Sequence, residues 1–115
     1  MRTAVRVDLL CLGRRDWPDG VDVATGQAER GIALCGSGIG ISIAVNRNPR
    51  VRCALVSEPL SAALAREHND ANCIAMGARL TGEDMARACL DAFLSTAFGG
   101  GRHGPRVDKL SNPSC

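Results

Sequence analysis

The sequence predicts an α/β fold built on a parallel sheet, and two observations lead to that prediction. Short apolar runs at residues 31–35, 52–57 and 72–76 have the near-continuous apolar character of strands buried on both faces. Segments with helical periodicity follow these runs, and this alternation is typical of strands joined by right-handed helical crossovers. We expect a single domain over residues 1–115, with an atypical N-terminus at 1–30 and a basic C-terminal tail at 99–115.

The helices of this pattern have recognisable starts and faces. A short helix over residues 41–47 is expected to leave the Gly-rich turn that follows the first run. Ser57 is a candidate N-cap for the second helix, because its hydroxyl would accept a hydrogen bond from a free backbone amide. In that helix Leu60, Leu64 and His68 are spaced to share one face.

The third helix is expected over residues 82–96. Thr81 with Asp84 three residues later resembles a capping box at its start. The glycines at 99–101 would end the helix and release the basic tail, which we expect to be flexible.

The first 30 residues depart from this regular alternation. Residues 5–12 are a possible strand, whereas residues 13–26 contain no helix of useful length and have the composition of turns. The opening strand-helix unit of the fold is therefore expected to be missing or degenerate.

Composition excludes several classes of protein. The chain has 115 residues, and its 45% hydrophobic and 23% charged residues are ordinary globular values. A net charge of +2 gives no indication of nucleic-acid binding, and no apolar run is long enough to cross a membrane. The start resembles no signal peptide, so we expect a cytoplasmic protein whose six scattered cysteines are reduced. No cysteines or histidines have metal-ligand spacing, so no metal is expected.

The strongest local feature is the segment Cys35-Gly-Ser-Gly-Ile-Gly40, at the point where a buried strand turns into a helix. Backbone amides of such a turn converge on an anion, and they would lower the pKa of a thiol placed beside them. Two alternatives remain: a tight turn with an incidental cysteine, or a dinucleotide site in which Glu58 contacts a ribose. The second is weak, because the glycines run GxGxG and not GxGxxG.

Two further segments are candidates for a functional site. His68, Asn69 and Asp70 end the second helix, and taken alone they fit a packed histidine followed by turn residues better than a site. Arg102 and Arg106 are placed to hold a phosphate between two guanidinium groups, or to form a solvated basic tail.

Three segments, CGSGIGISIAVN, SEPLSAALAREHNDAN and FGGGRHGPRVDKL, together resemble ribose-5-phosphate isomerase B and the related galactose-6-phosphate isomerase subunits. The likeness covers residues 28–112 and keeps the order of the family's motifs. It implies a Rossmann-like three-layer α/β sandwich and a metal-independent aldose–ketose isomerase of carbohydrate metabolism, in the pentose phosphate pathway. It further implies no cofactor, a phosphorylated sugar substrate, and a homodimer or homotetramer with active sites shared between subunits.

The resemblance also implies roles for individual residues. Cys35 matches the base that forms the enediol, Ser37 a neighbouring hydroxyl, and His68 the acid that opens the sugar ring. The residues that match substrate-binding positions are Gly36, Gly38, Gly40, Asn69, Arg79, Arg102 and Arg106.

One departure from the family concerns its first strand, which ends in an Asp-His pair that contacts the sugar. His68 and His103 are the two histidines of this sequence, and neither follows an aspartate. We therefore expect ribose 5-phosphate isomerase activity that is impaired by the N-terminal loss. The alternative is a non-catalytic chain that binds sugar phosphates or pairs with an intact subunit.

Overall fold

The computed structural model describes residues 7–11 and 21–112. Four strands form the sheet: β1 (Val7–Cys11), β2 (Arg30–Cys35), β3 (Cys53–Leu55) and β4 (Cys73–Gly77). The helices are α1 (Val21–Thr25), α2 (Ile39–Asn46), α3 (Pro59–Asn69), α4 (Glu83–Ser95) and α5 (Gly104–Ser111), with a 3₁₀ turn at Gly101–His103.

The sheet is parallel throughout, with the strand order β1-β2-β4-β3. Its central strand β4 is buried along its whole length, and its side chains alternate between two separate cores. Ile74 and Met76 pack in a core with α3 and α4, while Cys73 and Ala75 pack on the other face against Ile41 of α2. Helices on both faces confirm the predicted three-layer α/β architecture.

The N-terminal strand predicted over residues 5–12 is present as β1, which pairs in register with β2. Both edges of β2 are therefore occupied, since β4 pairs on its other side. Residues 21–25, predicted to be turn-like, instead form the helix α1 before β2. With five residues, this helix is short, as expected for a degenerate unit. The turn-like interpretation of residues 13–20 lies outside the described part of the chain.

Three details of the helices differ from the sequence-based expectations. The N-cap of α3 is Glu58 and not Ser57, because the Glu58 carboxylate accepts hydrogen bonds of 3.0 Å from the Ser61 amide. The start of α4 has Gly82 as its N-cap, with no side-chain hydrogen bond, so the predicted capping box is wrong. The C-terminal segment, expected to be a flexible tail, forms α5 instead.

The face of α3 that carries Leu60, Leu64 and His68 is not its buried face. Ala62 and Ala65 point into the core, whereas Leu60 and Leu64 are 66% and 36% exposed. Small residues let α3 approach its neighbour closely, which explains why the leucines face outward.

Candidate active site

The turn between β2 and α2 is held against the end of β4 by close backbone contacts. Gly38 has φ 79°, and a side chain there would lie 2.7 Å from Leu55 Cδ1 and 2.8 Å from the Met76 carbonyl carbon. A Cβ on Gly77 would lie 2.6 Å from the Ser37 carbonyl carbon. Both positions therefore require glycine, and these close contacts fix the conformation of the backbone in the turn.

Cys35 ends β2 directly before this turn, and its thiol is half-buried. The Gly38 amide donates to Cys35 Sγ at 3.2 Å. The pKa of Cys35 is lowered, chiefly by a hydrogen bond from the Ile41 amide. Burial of the thiol raises this pKa in part. Three further amides, those of Gly38, Ser37 and Gly40, add to the lowering. Amides at a helix start stabilise the thiolate, the form that acts as a base or nucleophile.

Ser37 lies in the same turn, where its Oγ accepts a hydrogen bond of 3.2 Å from the Ile39 amide. That contact orients the hydroxyl and leaves its hydrogen to donate elsewhere. Ser37 also lines a cleft of about 310 Å³ whose walls mix hydroxyl and apolar groups, with Ile39, Leu55, Val56, Ser57, Gly77, Leu80 and Thr81. The carboxyl edge of the sheet thus offers an open space beside the turn.

Arg79 belongs to this carboxyl-edge group. Its amide donates to the Gly36 carbonyl at 3.0 Å, and a Cβ on Gly36 would lie 3.7 Å from Arg79 Cδ and Nε. The backbone of Arg79 is therefore held against the glycine turn, and its exposed side chain lies beside Gly36. The structure brings together the predicted site residues Cys35, Gly36, Ser37, Gly38, Gly40 and Arg79.

His68 and Asn69 lie at the opposite edge of the sheet. They end α3, which begins after the carboxyl end of β3 and finishes before the amino end of β4. α3 has 11 residues and, at about 1.5 Å per residue, spans roughly 16 Å between the two edges. Asn69 lines a cleft of about 380 Å³ with Cys53 and Ala54 at the start of β3. Within one chain, His68 and Cys35 therefore do not share a site.

His103 packs directly on His68, with ring centroids 4.4 Å apart and an angle of 17° between the ring planes. Partial burial is the largest cause that lowers the pKa of His103. Electrostatic repulsion from His68, Arg102 and Arg106 lowers it further, and the negative charge of Glu67 partly opposes this lowering. Arg102 and Arg106 thus belong to a cationic group around the end of α3. His103 was not among the residues predicted for the site, although its place between these two arginines was the available signal.

Glu58, the candidate ribose contact of a dinucleotide site, is engaged elsewhere. Its carboxylate caps α3 through the amide and hydroxyl of Ser61. Within residues 7–11 and 21–112, no three His, Cys, Asp or Glu side chains form a metal-binding group. In the same ranges, no helix has the length and apolar character needed to cross a membrane.

Comparison with known sequences gives a consistent set of matches. The family model described as Ribose/Galactose Isomerase matches residues 18–110. The chain is 45% identical over 89 residues to ribose-5-phosphate isomerase B of Escherichia coli K12, covering 77% of this chain and 60% of that relative. It is 40% identical over 88 residues to D-erythrulose-4-phosphate isomerase of Pectobacterium atrosepticum, covering 76% and 58%. The chain thus spans less than two thirds of the length of these two curated relatives.

Solved structures share the architecture. A ribose 5-phosphate isomerase of Thermotoga maritima superposes with a TM-score of 0.86 at 32% identity, over 93% of this chain and 97% of that chain. Ribose-5-phosphate isomerase B of Clostridium thermocellum superposes with a TM-score of 0.78 at 44% identity, over 80% and 62%. The parallel sheet and its flanking helices are therefore common to this chain and to solved isomerases.

Proposed function

Because this chain belongs to the ribose/galactose isomerase family, we propose that it interconverts ribose 5-phosphate and ribulose 5-phosphate through an enediol. The observation that best supports the proposal is the Cys35 thiol, whose pKa is lowered by the amides of the glycine turn. Aldose–ketose isomerisation needs a base of this kind beside donors for a developing oxyanion.

The reaction moves one proton between neighbouring carbons. Cys35 as thiolate takes the proton from C2 of the open-chain aldose, and the electron pair shifts to form the C1–C2 double bond of the enediolate. The amides of Gly36, Gly38 and Gly40 and the Ser37 hydroxyl stabilise the negative oxygen. The O2 hydroxyl proton then passes to O1, and the Cys35 thiol returns its proton to C1 as C2 becomes the carbonyl carbon, which gives the ketose and needs no redox partner.

The cationic group around α3 suits the other end of the substrate. Ribose 5-phosphate is a closed ring in solution, and in this proposal His68 protonates the ring oxygen as the ring opens. Arg102 and Arg106 carry charges that suit a phosphate dianion, with Asn69 contacting a sugar hydroxyl. The ring oxygen and the phosphate are close together in the sugar. His68 and the two arginines are likewise close together in the fold.

We propose that two copies of the chain share each active site, in a homodimer or homotetramer. The helix α3 extends about 16 Å from the carboxyl edge of the sheet to its end at His68 and Asn69, and a pentose phosphate is much shorter than that. Apolar side chains at the carboxyl edge support a contact there, since Ile39, Leu55 and Leu80 are 50%, 48% and 73% exposed. In such an assembly, the turn of one copy faces the α3 end and Arg102 of the other.

An activity assay on the purified chain tests the proposed reaction. Ribulose 5-phosphate should form from ribose 5-phosphate, and four-carbon and six-carbon aldose phosphates serve as competing substrates. The four-carbon sugar is included because the Pectobacterium atrosepticum relative is named for erythrulose 4-phosphate. Turnover of none of these sugars would contradict the proposal. We place the reaction in the cytoplasm, among the pentose phosphate interconversions.

A second candidate function is sugar-phosphate binding without catalysis. It is favoured by the absence from this sequence of an Asp-His pair, which resemblance to the family places beside the sugar. A chain of this kind would bind ribose 5-phosphate and show no turnover. Calorimetric titration with ribose 5-phosphate, run beside the assay, separates the two functions.

A further inference from the structure

Asp70 ends α3 immediately after His68 and Asn69, and its backbone is unusual. It has φ 46° and ψ 42°, and within residues 7–11 and 21–112 it is the one non-glycine residue with a positive φ. This left-handed conformation is unfavourable for a residue with a side chain, although aspartate tolerates it better than most. The Asp70 amide donates to the Arg66 carbonyl at 3.1 Å, which closes the last turn of α3.

Two arginines hold Asp70 in place. Asp70 Oδ1 accepts from Arg66 Nη1 at 2.8 Å, and Asp70 Oδ2 lies 3.4 Å from Arg52 Nη2. The Asp70 carbonyl accepts from Arg52 Nε at 3.1 Å and from Arg52 Nη2 at 2.9 Å. Main chain and side chain of one residue are thus both bound by guanidinium groups, which fixes the direction in which α3 ends.

Arg66 links this turn to the segment that carries His103. Its side chain is buried, and its other hydrogen bonds go to the Thr96 carbonyl at 3.1 Å and the Ala71 carbonyl at 2.7 Å. The Gly99 amide in turn donates to the Glu67 carbonyl at 2.9 Å. The residues that lead from α4 to His103 are therefore tied to the last turn of α3.

We propose that Asp70 is a positioning residue, which acts through Arg66 and Arg52 to set the geometry of the His68–His103 ring pair. A role of Asp70 in catalysis rests on the proposed isomerase function, because Asp70 would then orient His68 and Asn69 toward the sugar. The network itself belongs to the chain and is testable without turnover.

The test compares Asp70→Gly and Asp70→Asn with a matched control. Asp70→Gly permits the positive φ and removes the carboxylate, so that it isolates the side-chain contacts from backbone strain. Asp70→Asn keeps the shape and loses the charge. Glu83→Gln is the control, because Glu83 forms an ion pair of the same i,i+4 spacing with Arg87 on the exposed surface of α4.

The readout is the NMR spectrum of the imidazole groups, which is simple because the chain has two histidines. In the wild type, we expect stacking to shift the ring protons of both residues upfield. Asp70→Gly should move both sets toward the values of unstacked imidazoles, Asp70→Asn should move them less, and Glu83→Gln should leave them unchanged. In an active protein, kcat should also fall by about 10- to 100-fold in Asp70→Gly, the loss typical of a misplaced catalytic group.

An unchanged imidazole spectrum in folded Asp70→Gly would overturn the proposal, even if its melting temperature falls, because Asp70 would then only stabilise the fold. If that variant does not fold, Asp70→Asn decides the question by the same criterion. A wild-type chain without turnover would contradict the isomerase function alone, and the spectra would still report on positioning.

Discussion

The imidazole rings of His68 and His103 stack with their centroids 4.4 Å apart, although the two residues belong to different elements of the chain. One ends α3, and the other lies in the 3₁₀ turn that precedes α5. Arg102 and Arg106 lie beside this pair, and their positive charges attract an anion. This cluster and the Cys35 thiol lie at opposite edges of the sheet.

The lowered pKa of His103 predicts a specific dependence of stability on pH. Because the folded-state pKa of His103 lies below its ordinary value of 6.5, the unfolded chain binds this proton more readily than the folded chain. The contribution of the neutral His103 ring to the free energy of unfolding is complete above pH 6.5, and it is lost as the pH falls below that value. Replacing His103 with Gln should therefore reduce the drop in melting temperature between pH 7.5 and pH 5, in a buffer without phosphate. An equal drop in both proteins would contradict the assigned shift.

The lowered pKa of Cys35 predicts selective reaction with iodoacetamide. At pH 7 Cys35 should be alkylated faster than Cys53, which is also half-buried, since the thiolate is the reactive form. Cys89, whose pKa is raised by burial and by Glu58, should react most slowly. Ribose 5-phosphate should protect Cys35 and leave the rate at Cys89 unaltered. Peptide mass spectrometry over time measures all three rates, and Cys35 reacting no faster than Cys53 would refute the expectation.

Arg102 and Arg106 are expected to bind the phosphate. Loss of a charged hydrogen bond costs about 1.5–3 kcal/mol, so replacing either arginine with Ala should raise KM for ribose 5-phosphate about 10- to 150-fold. Any activity on free ribose should be indifferent to the change. Arg87→Ala is the control, because Arg87 pairs with Glu83 on an exposed helix face. Equal losses on both sugars would indicate a structural role for the arginines.

The glycine turn makes a prediction about stability that is independent of activity. Gly38→Ala should lower the free energy of unfolding by about 2–4 kcal/mol, since it adds left-handed strain and a contact of 2.7 Å with Leu55. Gly40→Ala is the matched control, in the first turn of α2, where a Cβ meets no atom within 4 Å. It should be neutral or stabilise by up to about 1 kcal/mol. Urea denaturation of both variants distinguishes the two cases, and equal midpoints would contradict the packing described.

The turn at Cys35 was predictable from the sequence because its determinants are local. A buried strand, alternating glycines and a helix start follow one another within a dozen residues, and each has its own signal. The parallel sheet was predictable for the same reason. Recognition of the family depended on three separated motifs, and the match to residues 18–110 confirms it.

The packing of α3 could not be predicted in this way. Hydropathy favours Leu60 and Leu64 as the inward face, yet the buried positions are Ala62, Ala65 and the ion-paired Arg66. Burial of an arginine depends on acceptors supplied by Thr96 and Ala71, which no local pattern reveals. The stacking of His103 on His68 likewise depends on how the chain returns after α4.

Complementation between two variants tests the proposal that Cys35 of one copy and His68 of another act in the same active site. Cys35→Ala and His68→Ala should each lack turnover of ribose 5-phosphate, while keeping the melting temperature of the wild type. Refolded together in equal amounts, they should recover about one quarter of the wild-type rate, because half of the dimers are mixed and each mixed dimer has one intact site of two. A mixture that forms mixed dimers and stays as inactive as its components would contradict the claim.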